Sequence, residues 1–258
     1  MDPYDFILTT IKSAGDMVMQ LRGEVFETSF KGGNPRDIVT SVDIKVNDFL
    51  VGEIKKTFPE HGVYSEEGGG SSSANEYQWA IDPIDGSANF SRGIPHFAVC
   101  IGLLQDGIPV AGAVYNPVTQ ELFSFKKGAG AFLNGKLIHV SGIVELSKAG
   151  TFLHAGRKKE VWDWGGESYK KLLAHAHKTS NYGGSALDVC FIAAGRIEAV
   201  IYGILSTIDI AAAFGILAEA GGVAAEADGK PITFSTEPRK WFAANNQKIL
   251  DEIRTLLV

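Results

Sequence analysis

The sequence predicts a mixed protein in two parts, an α+β half followed by an α/β half. Two stretches with the spacing of amphipathic helices, residues 3–22 and 41–54, open the chain and precede β-rich runs separated by short turns. After a change near residues 140–150, strands and helices alternate, which is typical of α/β architecture. We therefore predict two domains, residues 1–145 and 146–258, with no visible repeat relating them.

The first half is predicted to be two helices packed on an antiparallel meander. Ser41 is the expected N-cap of the second helix, which puts Asp43 in its first turn. Residues 31–35 predict a loop. Turn sequences such as Gln-Asp-Gly separate three β-rich runs, at residues 97–104, 109–115 and 121–125. Strands joined by such short turns pair antiparallel.

The second half is predicted to alternate between strands and helices. Strands are expected at residues 152–154, 197–202 and 240–244, and helices at residues 162–177, 186–194, 207–220 and 246–257. The helix at 207–220 is small and apolar enough to be buried. Asp209 is its only charge before Glu219 and falls in its predicted first turn.

Composition limits the possible partners and the compartment. The chain has 258 residues, 45% of them hydrophobic, and a formal net charge of −6, which argues against a nucleic-acid backbone or an anionic membrane as main partner. No stretch approaches the ~18 apolar residues of a membrane span, and the N-terminus lacks a signal peptide's apolar core. Cys100 and Cys190 lie in apolar runs and are expected to be small buried side chains. We therefore expect a cytoplasmic protein.

The most informative stretch runs from Trp79 to Phe90. Its apolar start predicts a buried strand that delivers Asp82 and Asp85 into a sharp turn, where Pro83 fixes the backbone. Two acids with a carbonyl between them suit a hard cation that takes oxygen ligands. The alternative is an acidic turn between two strands, because Asp-Pro and Asp-Gly are common turn dipeptides.

The turn itself has the features of an anion site. Gly86 permits a backbone conformation that other residues avoid and allows a ligand to approach the main chain closely. The amides around Gly86 and Ser87 are able to form an anion-binding nest, and Ser87 adds a hydroxyl.

A further acid is predicted beside a Gly/Ser-rich loop at residues 68–75. Glu66 follows a short strand and shares a strand face with Tyr64, so we expect Glu66 to point inward and Glu67 to be solvated. With Asp82, Asp85 and Asp209 it makes a set of carboxylates that would repel one another without cations. Carboxylates without His or Cys favour Mg²⁺ or Mn²⁺, and two ions sharing a carboxylate suit phosphoryl transfer to water.

The segment Asp82-Pro83-Ile84-Asp85-Gly86-Ser87-Ala88-Asn89-Phe90 resembles the signature of the inositol monophosphatase family, which usually has Thr where Ser87 stands. Further similarities follow in family order over nearly the whole chain: residues 37–43, Ser65-Glu66-Glu67, Gly184-Ser185-Ala186-Leu187, Asp209-Ile210-Ala211-Ala212, residues 219–222 and Ala243-Ala244-Asn245. The resemblance implies a layered α-β-α-β-α sandwich of the type that this family shares with fructose-1,6-bisphosphatases.

The resemblance also implies roles for individual residues. Glu66, Asp82 and the Ile84 carbonyl would hold one Mg²⁺, and Asp82, Asp85 and Asp209 a second, with a third, weaker ion near Glu66 and Mn²⁺ as a substitute. Ser87 with Glu66 would orient and deprotonate the attacking water, and Asp43 would order metal-bound waters. The substrate-binding residues would be Asp85, Gly86, Ser87, Ser185, Ala186, Tyr202 and Asp209. Lys31 loosely matches a lysine of the family.

The departures from the family pattern concern substrate recognition. Inositol-specific members carry a sugar-gripping Glu seven residues before the last metal Asp, and Tyr202 stands there in this chain. Ile208 replaces a usual Trp, and the usual Arg before the Gly-Ser segment is missing, with Asn181 and Tyr182 nearby.

The resemblance thus implies a phosphomonoesterase for a small sugar or polyol phosphate, lithium-sensitive and homodimeric. Alternatives within the superfamily are fructose-1,6-bisphosphatase, histidinol-phosphate phosphatase and 3′-phosphoadenosine nucleotide phosphatase. Two further hypotheses do not involve an enzyme. One is a non-catalytic sensor of a phosphate ligand, and the other is a Ca²⁺-stabilised structural module.

Overall fold

The computed structural model describes residues 1–34, 37–156 and 158–258. Pro35, part of the predicted 31–35 loop, lies outside these ranges. The α-helices are α1 (Pro3–Arg22), α2 (Ser41–Thr57), α3 (Ser87–Ser91), α4 (Trp162–His175), α5 (Ser185–Ala193), α6 (Ala211–Glu219) and α7 (Gln247–Leu257). No helix in these ranges is both long enough and apolar enough to cross a bilayer.

The first sheet contains the predicted meander. Its strands follow the chain in order: β3 (Gly62–Ser65), β4 (Tyr77–Asp85), β5 (Ala98–Gln105), β6 (Ile108–Asn116), β7 (Glu121–Lys126), β8 (Gly130–Leu133) and β9 (Lys136–Ile138). From β4 to β9 every neighbouring pair is antiparallel, and only β3 runs parallel to β4. The short turns therefore gave the strand order correctly.

The second sheet is mixed, as expected for an α/β segment. It contains β10 (Gly150–His154), β11 (Lys178–Ser180), β12 (Ala199–Leu205), β13 (Val223–Glu226) and β14 (Arg239–Ala244) in the order β11-β10-β12-β14-β13. Strand β10 is parallel to both of its neighbours, whereas β14 is antiparallel to both β12 and β13.

Three apolar layers hold these elements together. The core between α1, α2 and the first sheet contains Phe6, Leu50 and Trp79, all fully or almost fully buried. Helices α5 and α6 lie between the two sheets, and α4 and α7 cover the far face of the second sheet. The molecule is therefore the α-β-α-β-α sandwich that the resemblance implied. Each apolar helix of the middle layer is buried on both sides.

A two-stranded hairpin stands apart from both sheets. It pairs β1 (Thr28–Phe30) with β2 (Ile38–Thr40) and carries Lys31 directly after its first strand. All three residues of β1 are exposed, so no apolar alternation marked it in the sequence.

Two local expectations were wrong. The N-cap of α2 is Thr40, because the Thr40 hydroxyl accepts from the amides of Val42 and Asp43 while Asp43 accepts from the Thr40 amide, a reciprocal capping box. Asp209 is not in the first turn of a helix, since α6 begins at Ala211 and Asp209 lies in the turn before it.

Candidate active site

The central acids lie on a distorted strand. Pairing of β4 with β5 is irregular, because Asp82 faces Cys100 and Asp85 faces Ala98, so one extra residue is accommodated on β4. Pro83, which has no N–H to donate, occupies this bulge. The Ile84 amide turns back and donates to Asp82 Oδ1 at 2.9 Å. The bulge lies at the end of a buried strand and thus changes the direction in which two carboxylates and a carbonyl point.

A cavity of about 510 Å³ collects the predicted metal residues from three segments of the chain. It is lined by Glu66, Asp82, Ile84, Asp85 and Asp209, and also by Gly86 and Ser87. A larger groove of about 960 Å³ runs along α7. We place the site in the smaller cavity because burial raises the pKa values of three of its carboxylates, Asp82, Asp85 and Asp209, and raised values are concentrated at functional sites.

The electrostatics of the cavity favour a cation. Burial raises the pKa of Asp82 well above its usual range, and the charges of its three neighbouring acids raise it further. Burial, followed by the charge of Glu66, raises the pKa of Asp209 to about 6. Among the described residues, the Oδ1 atom of Asp209 is buried without a hydrogen-bond partner. A buried oxygen of this kind is costly unless a ligand satisfies it.

Lys31 supplies a positive charge at the edge of this cluster. Its Nζ atom lies 2.7 Å from Glu66 Oε1 and 2.7 Å from Glu67 Oε1. Burial opposes the ammonium charge, but the two carboxylates outweigh it and raise the pKa of Lys31. The hairpin therefore delivers a counter-charge to a predicted metal ligand.

The expectation that Glu67 is solvated was wrong. Its side chain is 9% exposed, whereas that of Glu66 is 32% exposed. Strand β3 ends at Ser65, so the alternation of faces along a strand no longer applies to the next two residues. Glu66 nevertheless lines the cavity, as expected.

Within the described ranges, no three acid, His or Cys side chains form a preassembled metal cluster. The reason is visible for two of the acids, since Glu66 is drawn to Lys31 and Asp85 is held by α5. Even so, the residues fit a Mg²⁺ site, because the predicted ligands are all oxygen donors and one buried carboxylate oxygen among the described residues, Oδ1 of Asp209, is unpaired.

Asp85 is oriented by the second half of the chain. Its Oδ2 accepts from the Ala186 amide at 2.9 Å, and its Oδ1 accepts from the amide and hydroxyl of Ser185. Burial raises the pKa of Asp85, and these donors work against that rise. Ser185 and Ala186, predicted to bind substrate, direct these donors to Asp85.

Ser87 is held between an acid and a carbonyl. Its hydroxyl lies 2.8 Å from Asp43 Oδ1 and 2.9 Å from the Ile84 oxygen, and is able to donate its single proton to either. Asp43 is 1% exposed, and burial raises its pKa although Thr40 and Ser87 donate to it. The capping box of α2 thus fixes an acid directly behind the Ser87 hydroxyl.

Gly86 closes the turn in a conformation that favours glycine. Its φ is +90°, and an added Cβ would stand 3.0 Å from the His96 carbonyl oxygen. It precedes the first residue of α3, so the amides that follow it belong to the start of that short helix.

Tyr202 lines the cavity but its hydroxyl is engaged. It donates to Asp188 Oδ2 at 3.1 Å, and the ring stacks on both His154 and Trp241 with centroids 4.6 Å apart in each case. Sequence reasoning did not single out Asp188 or His154. The sequence feature that pointed to Asp188 is its position as a lone charge in the apolar helix α5.

Fold and site together define a class: a five-layered α+β protein whose two halves contribute carboxylates to one polar cavity. Comparison with known proteins identifies the family. Residues 2–257 match the profile of the inositol monophosphatase family. The chain belongs to that family, which confirms the resemblance of its motifs.

The relatives include both named phosphatases and Nus factors. An inositol-1-monophosphatase of Mesorhizobium japonicum is 35% identical over 222 residues, covering 84% of this chain and 82% of that protein. The Nus factor SuhB of Vibrio cholerae is 37% identical over 211 residues, covering 80% of this chain and 77% of that protein. The crystal structure of the extragenic suppressor protein SuhB from Bartonella henselae superposes with a TM-score of 0.91 at 28% identity, covering 98% of this chain and 97% of that chain.

Proposed function

We propose that the protein is a Mg²⁺-dependent phosphomonoesterase that hydrolyses a small sugar or polyol phosphate. The observation that carries the proposal is the convergence of four carboxylates on one cavity. Burial and the charges of neighbouring acids raise the pKa of Asp82, and a buried oxygen of Asp209 has no partner in the part of the chain that the structure describes. Membership of a family whose relatives include a named inositol-1-monophosphatase supports the same conclusion.

The cation ligands would be the carboxylates of Glu66, Asp82, Asp85 and Asp209 and the carbonyl of Ile84. We expect two or three ions, with Mn²⁺ able to replace Mg²⁺. When bound, such ions lower the pKa of a coordinated water and neutralise charge on a phosphoryl group. Held by α5, Asp85 would present its remaining lone pairs in a fixed direction.

Ser87 and its partners would act on the attacking water. With its proton on Asp43 Oδ1 or the Ile84 oxygen, the Ser87 oxygen has lone pairs to accept from a water and orient it for in-line attack. Glu66, at the cavity edge, would take the proton from that water. The amides after Gly86 would hold the phosphate through the start of α3 and the turn.

The wall that would face the alcohol part of the substrate is mixed rather than acidic. Tyr202, which stands where inositol-specific members have a Glu, commits its hydroxyl to Asp188. Ile204, Leu205 and Pro238 make part of the lining apolar, and Asn181 adds an amide. A cavity of about 510 Å³ suits a small phosphate ester.

A second candidate is a regulatory role of the kind named in the Nus factor relatives. Such a role does not require an intact acid set, whereas every acid predicted for the metal site lines one cavity in this chain. A formal net charge of −6 also disfavours nucleic acid as the main partner. We therefore rank catalysis first, in a cytoplasmic, homodimeric protein that family likeness makes lithium-sensitive.

The test is phosphate release from a panel of substrates, with Mg²⁺ and after chelation. The panel contains inositol 1-phosphate, fructose 1,6-bisphosphate, histidinol phosphate and 3′-phosphoadenosine nucleotides. We expect Mg²⁺-dependent hydrolysis that Asp85→Asn abolishes, while Asp48→Asn, on the exposed face of α2, retains it. Circular dichroism checks that both variants fold. Hydrolysis that persists after chelation overturns the proposed mechanism, and no hydrolysis of any panel member favours the Nus-type role.

A further inference from the structure

Asp188 is a fully buried carboxylate at which three side chains from separate segments meet. Its Oδ1 lies 2.8 Å from His96 Nε2, and its Oδ2 lies 3.0 Å from His154 Nε2 and 3.1 Å from the Tyr202 hydroxyl. Asp188 itself has no solvent exposure. A buried carboxylate needs such donors, because an uncompensated charge in the interior is costly.

This arrangement fixes which nitrogen of His154 faces Asp188. A 3.0 Å contact between a ring nitrogen and a carboxylate oxygen requires a proton between them, so Nε2 of His154 carries it. The Gly183 amide also points at this nitrogen, at 3.3 Å, but a carboxylate is able only to accept, so the contact with Asp188 decides which ring nitrogen carries the proton. The ring is also held flat against Tyr202, with an interplanar angle of 8°.

His154 therefore offers one polar atom that its protein contacts do not use. Across the described part of the chain, Nδ1 of His154 has no hydrogen-bond partner, while the side chain lines the acid-lined cavity and is 13% exposed. Tyr202, next to it, gives its hydroxyl proton to Asp188. The side chains of Ile204 and Leu205, which line the same cavity, are apolar and offer no hydrogen-bonding atom.

We propose that His154 recognises a hydroxyl group on the alcohol part of the substrate, and that Asp188 is the positioning residue behind it. The proposal rests on the phosphatase function proposed above. A hydroxyl fits Nδ1 in either protonation state of the ring, since it donates to a neutral Nδ1 and accepts from a protonated one. The His154 ring, neutral or cationic, would then bind the substrate hydroxyl that inositol-specific members bind with an acidic side chain.

His96 provides a matched control. It contacts Asp188 through the same ring nitrogen, at 2.8 Å, but it does not line the cavity. Replacing either histidine by Phe removes one donor from Asp188 and keeps an aromatic ring of similar size. A difference between the two variants therefore reports the cavity contact rather than the loss of one bond to Asp188.

The experiment compares kcat and KM for two substrates with Mg²⁺: the polyol phosphate that the wild type hydrolyses best, and p-nitrophenyl phosphate, which has no hydroxyl on its leaving group. His154→Phe should raise KM for the polyol phosphate about tenfold, the size expected for one hydrogen bond, with kcat little changed. Its KM for p-nitrophenyl phosphate, and both KM values of His96→Phe, should stay within about twofold. Asp188→Asn should follow His154→Phe in raising KM for the polyol phosphate alone.

The outcomes separate the two proposals. An equal rise in KM for both substrates in His154→Phe, or the same polyol-specific rise in His96→Phe, overturns the role of His154. Wild-type turnover of p-nitrophenyl phosphate without turnover of any polyol phosphate overturns it too, but leaves the phosphatase function standing. If neither substrate is hydrolysed, the phosphatase function itself fails and the role of His154 fails with it. Thermal unfolding of each variant confirms that the compared proteins are folded.

Discussion

At the scale of single residues, the Ser87 hydroxyl carries the clearest expectation for catalysis. It is fixed between Asp43 and the Ile84 oxygen, and it starts the short helix α3. Ser87→Ala should lower kcat by about 100-fold or more with little change in KM, because the hydroxyl acts on the water rather than on the bound ester. Ser87→Thr should retain activity, since it keeps the hydroxyl.

The control for this measurement is Ser91→Ala, at the other end of α3. The Ser91 hydroxyl donates to the Ala88 carbonyl within the same helix and takes no part in the cavity. Steady-state rates of the three variants with Mg²⁺ decide the matter, and a Ser87→Ala enzyme with the wild-type kcat would remove Ser87 from the mechanism.

Asp209 gives a prediction for stability against pH. Its pKa of about 6 is above the ordinary value of 3.8, so the folded protein binds this proton more tightly than the unfolded chain does. The unfolding free energy of the metal-free protein should therefore fall as pH rises from about 4 to 6. Asp209→Asn should be more stable than the wild type by about 3 kcal/mol at pH 8 and by little near pH 4.

Thermal unfolding of the chelated proteins across this pH range measures the effect. Asp16→Asn, at an exposed position on α1, is the comparison and should show no such gain. Adding Mg²⁺ at pH 8 should stabilise the wild type more than Asp209→Asn. A metal-free Asp209→Asn protein that is less stable than the wild type at pH 8 contradicts the inferred repulsion.

The sequence was informative about residues whose partners are close in the chain. Asp82, Ile84, Asp85 and Ser87 lie in one strand and turn, so a short motif was enough to find them. The partners of Asp188 lie 14, 34 and 92 residues away, and only folding brings them together. No local pattern encodes such a meeting.

At the scale of elements, the contact between α6 and the first sheet depends on missing side chains. Gly102 and Gly112 face each other on β5 and β6 under Ala212, and a Cβ on Gly215 would stand 2.0 Å from Phe125 Cζ. Helix α6 can therefore lie close to the sheet only where these positions have no Cβ. Because such tight packing leaves neighbouring atoms no room to relax, even one added methyl group changes the free energy of unfolding.

Gly215→Ala should destabilise the protein by about 1 to 3 kcal/mol through overpacking, despite the better helix propensity of Ala. Gly166→Ala on α4 is the matched control, because no atom of the described residues lies within 4 Å of its added Cβ. That variant should gain about 0.5 to 1 kcal/mol. Urea unfolding measures the unfolding free energies of both variants. A Gly215→Ala protein as stable as the wild type would mean that Phe125 moves aside without loss of stability.

Periodicity predicted most elements but not their ends. The helices α1, α2 and α7 were found because each has one apolar face. Strands β1 and β11 are three residues long, too short for an alternating pattern, and were not predicted. The start of α6 was placed too early because the apolar run begins before the helical backbone does.

At the scale of the whole molecule, periodicity alone predicted that the chain has two halves, but it did not predict how they are arranged in space. The layered sandwich came from the family resemblance, and the family profile over residues 2–257 agrees with it. One physical signal did point to the middle layer. Apart from Asp188 in α5 and the terminal Glu219 in α6, helices α5 and α6 carry no charge and are apolar on nearly all sides, which is typical of a helix buried between two other layers.

The bonds from Ser185 and Ala186 to Asp85 join the two halves at the cavity. If the protein is the phosphatase proposed above, they would make its activity depend on the correct assembly of the two halves. A chain whose second half is misplaced leaves this carboxylate without its orienting donors, and so lacks a properly directed cation ligand. Under the proposed function, a partly folded copy would then be inert toward phosphate esters, and only the completed sandwich would hydrolyse them.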